Sequence, residues 1–82
     1  NALMICINLQ YYDIIDKILN IKNAEVHVVN QYGDTPLILL LAHNQPEIAK
    51  KLITKHNYQY LDYVSNSGLS ANNLLKNFPG LI

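Results

Sequence analysis

Cys6 is the single cysteine of the 82-residue chain, and His27, His43 and His56 are its three histidines. A thiol beside an imidazole could work as nucleophile and base, and histidines close in sequence could bind zinc. Neither chemistry fits. Cys6 sits inside an apolar run, where a core role is the plainer reading, and no histidine lies within ligand spacing of another. No nucleophile, base and orienting group come together along the chain, so no catalytic residue, metal ligand or cofactor is assigned and no small-molecule substrate is expected. His43 reads as a partner contact, a pH-sensitive group or an ordinary loop-end residue. Tyr58, Tyr60 and Tyr63 could form an aromatic docking patch or fill space within the fold. Tyr32 carries a rigid amphipathic ring suited to anchoring an interface, or it covers its own turn.

Elements must hold such residues in place, and composition limits what they can be. Half of the residues are hydrophobic, and six acidic residues balance six lysines with no arginine. Phosphate recognition relies on clustered positive charge, usually with arginine, so nucleic acid is not expected as a partner. A lone cysteine allows no internal disulfide and fits a reducing intracellular, cytoplasmic compartment. The longest apolar run, Pro36 to Ala42, is too short to cross a bilayer, so no membrane is expected. Asn1 to Leu9 lacks the basic start and the small-residue cleavage site of a signal peptide.

The chain repeats itself. Asn1–Leu19 aligns with Thr35–Ile53 at an offset of 34, matching Leu3 to Leu37, Asp13 to Glu47, Ile14 to Ile48 and Lys17 to Lys51. Val26–Pro36 aligns with Leu61–Ala71 at an offset of 35, which sets Gly33 on Gly68. A loop absorbs the one extra residue at small entropic cost. Thr35 followed by Pro36 predicts a helix start, with the hydroxyl as cap and the proline at the first helical position. Asn1 and Ser70, at the matching positions, can also cap. The apolar run Leu37–Leu41 is too dense for an amphipathic stripe and predicts a helix covered on most sides. His43–Pro46 breaks it, and Pro46 opens a second helix with Ile48, Ala49, Leu52 and Ile53 at helical spacing. Asp13 with Lys17, and Glu47 with Lys51, read as solvated pairs four residues apart, each contributing about 0.2–0.5 kcal/mol.

The order NQYGDTPLILLLAHNQPEIAKKLI, with NAEVHVVNQYGDTPL leading into it, resembles the ankyrin repeat. That family has a glycine turn, Thr-Pro-Leu opening a first helix, and an acid followed by Ile in a Leu-rich second helix. The resemblance spans the chain: a partial repeat over 1–29, a complete one over 30–64, and a degenerate or truncated one over 65–82. It implies an all-α solenoid of stacked helix-turn-helix units joined by hairpin-like loops. There are departures. Leu39–Leu41 and Ile5–Ile7 replace the family's small residues, which implies local repacking or wider stacking. Ile38 and Met4 replace its histidine. His56–Tyr63 replaces its short hairpin, and Asn72 takes a buried-leucine position.

By the same resemblance, function lies in a concave surface that grips another protein. Its variable contact positions fall on Gln31, Tyr32, Asp34, Ala42 and His43 in the second unit, Asn66, Ser67 and Leu69 in the third, and Asn8 and Leu9 in the first. The expected activity is a protein–protein interaction module, not an enzyme within this chain. The alternative is a targeting or substrate-recruiting arm of a larger enzyme, or of a microbial or viral effector acting in host cytoplasm. A structural spacer is a third reading. Abundant Asn, Ile, Tyr and Lys with no Arg or Trp match coding by an AT-rich genome. Since stacked repeats generally need three or more units, residues 1–82 alone are expected to be marginally stable or oligomeric.

Overall fold

A side-chain oxygen three residues ahead of a free amide satisfies one of the donors that a helix start leaves without a partner, and three helices begin this way. Asn1 Oδ1 accepts from the Met4 amide at 3.1 Å, Thr35 Oγ1 from Ile38 at 3.2 Å, and Ser70 Oγ from Asn73 at 3.2 Å. The computed structural model describes residues 1–81. Its helices are α1 (Ala2–Asn8), α2 (Tyr12–Leu19), α3 (Pro36–Ala42), α4 (Pro46–His56) and α5 (Ala71–Leu75). Pro36 and Pro46 open α3 and α4, where a missing N–H costs nothing. Among the described residues the only β-pairing is an isolated bridge between Val64 and Ser70, so the chain is all-α. Ile82, the last residue of the third sequence unit, lies outside the described residues.

The 34-residue offset holds at the level of individual hydrogen bonds. The Leu9 and His43 amides donate to Ile5 and Leu39 carbonyls, at 3.0 and 2.9 Å. Those of Tyr11 and Gln45 donate to Cys6 and Leu40, both at 2.9 Å. Gln10 and Asn44, between them, are both left-handed, with φ of 60° and 58°. Cβ crowds the following carbonyl in both, but the short polar side chain of asparagine can hydrogen-bond the local backbone and tolerates the conformation better than glutamine. The two inter-helix loops therefore share one conformation although their sequences differ.

Each helix pair folds on itself, α1 with α2 and α3 with α4, and the pairs then stack: α1 on α3, α3 on α5, and α2 on α4. This explains the dense apolar run. α3 touches the helices on three sides and buries Pro36, Leu37, Ile38, Leu40 and Leu41, so no side of it is left for a polar stripe. The bulky Leu40 and Leu41 are taken into this core. α2, with only its inner side covered, buries Ile15 and Leu19.

Polar contacts tie the pairs together, and one corrects an expectation. Lys51 does not pair with Glu47 in its own helix; its Nζ lies 2.7 Å from Asp16 Oδ1 on α2. Lys55 Nζ donates to Asn20 Oδ1 at 2.8 Å, and His56 Nε2 lies 2.8 Å from the Leu19 carbonyl. The reason is geometric: α4 lies beside the end of α2, and acceptors fixed on a neighbouring helix compete well with a flexible carboxylate four residues back. Lys17 and Asp13 form no ion pair either among the described residues.

The third unit is reduced. Asn72, at the position equivalent to buried Leu37, is exposed and hydrogen-bonds the Asp62 carboxylate. α5 accordingly stops after five residues. The chain then runs through turns that lay Phe78 and Leu81 against the core, beside Pro46 and Lys50 of α4.

Candidate partner-binding surface

Two turns precede α3 and α5, and both close by the same bonds. In the first, the Gly33 amide donates to the Asn30 carbonyl at 3.1 Å and Asn30 N–H to the Asp34 carbonyl at 3.0 Å. In the second, Gly68 donates to Ser65 at 2.9 Å and Ser65 to Leu69 at 2.7 Å. Side chains brace both turns. Asn30 Oδ1 accepts from the amides of Tyr32 and Asp34, both at 2.9 Å, while Ser65 Oγ accepts from Leu69 at 3.2 Å and pairs with Ser67 Oγ at 2.8 Å. Gly33 and Gly68 have φ of +78° and +85°, the left-handed region that glycine enters without penalty.

The tips are joined edge to edge, because the Asn66 amide donates to the Tyr32 carbonyl at 2.8 Å. That approach is close enough that a Cβ on Gly33 would stand 3.2 Å from Asn66 N and Ser65 Cα. Gln31, Tyr32, Asn66, Ser67 and Leu69 thus form one exposed row, with Tyr32 60% exposed. Asp34 is half-buried at its edge. Asn8, Leu9 and Ala42 are exposed and His43 half-buried, at equivalent ends of α1 and α3, which pack side by side. The tip row precedes α3, which ends at Ala42 with His43 as its cap, so one helix length, ~10 Å, separates the two groups.

Sequence reasoning missed part of this side. Ile5 is 57% exposed, one helical turn from Leu9 at 55%. Nothing in its sequence context marks it as exposed, because its counterpart Leu39 lies in the densest apolar run. Val29, Tyr63 and Val64 are exposed beside the tips. A further property emerges from reading the helices by layer: α1, α3 and α5 contain no charged residue, and the charges of the helices sit on α2 and α4. The candidate surface is neutral apart from Asp34.

The remaining chemistry-bearing side chains are engaged in structure. Cys6 is half-buried within α1 and packs against the core. His27 stacks on Tyr58 with ring centroids 4.7 Å apart, and its Nε2 accepts from the Gln59 amide at 3.0 Å. Tyr58 is 4% exposed, so it fills space and is no docking patch, while Tyr63 at 45% stays accessible. Burial pushes the Tyr58 hydroxyl up to about 12; nearby Tyr60 adds to the rise and the Thr35 hydroxyl opposes it. Thr35 Oγ1 is close enough to influence Tyr58 but makes no hydrogen bond of good geometry with it. The phenol oxygen has no partner among the described residues. No three His, Cys, Asp or Glu side chains converge as metal ligands there, and no helix is long and apolar enough to cross a membrane. Comparison of the chain with protein-family models, curated proteins and solved structures finds no match in any of the three.

Proposed function

We propose that the chain is an ankyrin-type stack of helix pairs that binds another protein across its turn tips and the exposed ends of its first helices. The observation that carries the reading is the bond from Asn66 N–H to the Tyr32 carbonyl. It holds two tips in one row, so Tyr32, Gln31, Asn66, Ser67 and Leu69 are presented with little ordering entropy left to lose on binding. Tyr32 is the anchor: it is large, amphipathic and the most exposed aromatic residue of the chain. Leu9 and Ile5 extend the apolar area along α1.

The layer distribution of charge supports the same reading and defines its electrostatics. A surface without lysine and with a single half-buried acid does not draw partners by long-range attraction, so contact depends on shape, apolar burial and hydrogen bonds. The test is affinity capture from a cell extract with the chain as bait. The wild type is expected to retain a defined protein, also at about 0.5 M salt where charge attraction is screened. The Tyr32, Asp34 and Leu69 triple alanine variant is expected to lose it with an unchanged circular dichroism spectrum. Equal retention by both proteins rejects this surface, and no selective retention favours a structural spacer.

A further inference from the structure

The two turn tips are carried on stems, residues 26–30 and 58–64, and among the described residues one hydrogen bond joins the tips and one joins the stems. The first runs from the Asn66 amide to the Tyr32 carbonyl at 2.8 Å. The second lies at the base, from the Gln59 amide to Nε2 of His27 at 3.0 Å. An amide N–H only donates, so this bond requires a bare Nε2 and puts the proton of the neutral ring on Nδ1. The bond is exposed to solvent, and a proton reaches Nε2 without any opening of the core. Once it arrives, both ring nitrogens are donors, and N–H faces N–H.

Which side then moves depends on what holds each one. His27 lies flat on Tyr58, with centroids 4.7 Å apart and 12° between the planes, and meets the Tyr60 ring at 4.9 Å in a T-shaped contact. Tyr58 is buried and fixed. An aromatic face attracts a cation, so the imidazolium keeps its place on Tyr58. Gln59 is exposed, and water takes its amide when it is released. The charged and titratable groups along the segments that meet at the ring are Lys22 and Glu25 on its own side, and His56, Tyr58, Tyr60, Asp62 and Tyr63 on the other. No carboxylate stands within ion-pair distance of His27 among the described residues, and Asp62 is bonded to Asn72. Nothing acidic is therefore in place to take the new N–H and hold the stems together.

His56 supplies the contrast. Its Nε2 lies 2.8 Å from the Leu19 carbonyl, which only accepts, so that nitrogen already carries a proton and goes on donating when the ring is charged. The two histidines bridge the same two units with opposite proton requirements.

We propose that His27 is an acid-released latch at the base of the joined tips: protonation of Nε2 expels the Gln59 amide and loosens the stem that follows it, while α2 and α4 stay clasped through His56. Ring contacts pass the change on. Tyr60 packs on Tyr63 at 5.2 Å, and Tyr63 stands three residues before Asn66, whose bond to Tyr32 is then left to hold the row alone. The row is ordered at neutral pH and slackens across the range of about pH 8 to 5 in which histidine changes charge. The latch needs no partner to operate; only its consequence for partner capture rests on the turn-tip reading.

The test is nuclear magnetic resonance of the full chain across that range. At the upper end, long-range proton–nitrogen correlations are expected to place the proton of His27 on Nδ1 and that of His56 on Nε2. The Gln59 amide shift should follow the His27 ring with one midpoint, and its protection, corrected for the intrinsic rate, should fall about tenfold on acidification. Protection of the Asn66 amide should fall about twofold or more, while amides in the last turn of α4 keep theirs. His27→Gln, whose side-chain oxygen accepts at any pH in this range, is expected to flatten the Gln59 and Asn66 responses, and His56→Gln to leave them as in the wild type. A proton on Nε2 of His27 at the upper end, a Gln59 amide indifferent to the ring's titration, or an Asn66 response that persists in His27→Gln overturns the proposal. Should His27→Gln disturb the stack on Tyr58, the wild-type tautomer and the Gln59 titration still decide it. Partner capture is read separately, so either idea can fail alone.

Discussion

Replacing Gly33 and Gly68 separately by alanine isolates the contribution of the joined tips, because the two glycines share a conformation and differ in surroundings. Alanine at a left-handed φ costs about 1–2 kcal/mol, and the stiffer unfolded chain returns about 0.4–1 kcal/mol. Gly68→Ala, with no atom within 4 Å of the new Cβ, is therefore expected to destabilise by about 1 kcal/mol or less by that difference. Gly33→Ala has the same penalty and a second one. Its Cβ would sit 3.2 Å from Asn66 N and Ser65 Cα, backbone atoms that cannot rotate aside. The tips must separate, weakening the 2.8 Å bond from Asn66 to Tyr32. Overpacking of this kind costs about 1–3 kcal/mol, and the bond about 1 kcal/mol. The difference between the variants is then about 2 kcal/mol, or ~10 °C in melting temperature for a domain of this size. Urea unfolding followed by circular dichroism measures it, and amide exchange at Asn66 locates it. Equal destabilisation by the two substitutions, with Asn66 still protected in Gly33→Ala, would refute the claim that the tips are held edge to edge.

Tyr58→Phe is expected to leave stability at pH 7 unchanged or raise it by up to about 1 kcal/mol, since it removes a buried hydroxyl without a partner. Its pH signature follows from the raised Tyr58 value of about 12: the folded state holds the proton more tightly than the unfolded chain, whose phenol titrates near 10. That contribution is complete below about pH 10 and is lost as pH rises towards 12. Urea midpoints measured across this window should fall more steeply for wild type than for Tyr58→Phe. Lys51→Ala is expected to cost up to about 1 kcal/mol, less in high salt, because the Asp16 carboxylate it meets is half exposed. Glu47→Ala, which removes no pair, should change the urea midpoint little, and the reverse ranking would restore the pairing within α4.

Candidate site residues were readable from sequence to the extent that exposure follows from position in a turn or at a helix end. Gln31, Tyr32, Asn66, Ser67 and Leu69 lie in glycine turns whose tips face solvent whatever packs behind them. Ile5 was not readable, because an isoleucine amid aliphatics looks the same whether its outer side is covered or open. Nothing in the sequence around His27 and His56 points to their partners. Their partners, the Gln59 amide and the Leu19 carbonyl, are backbone atoms 32 and 37 residues away.

Sequence alone determined the features governed by short-range chemistry: the caps at Asn1, Thr35 and Ser70, the proline starts at Pro36 and Pro46, the glycine turns, and the 34-residue recurrence. Each depends on atoms a few residues apart, so the residue types suffice. Tertiary structure decided which of several competent partners each side chain takes. Lys51 chose Asp16 over Glu47, Tyr58 went inward while Tyr63 stayed out, and Asn66 met Tyr32 across two turns. Those outcomes depend on how closely the helix pairs approach, a distance set by the summed packing of Leu37, Leu40, Ile7 and Leu52 and not by any single local preference.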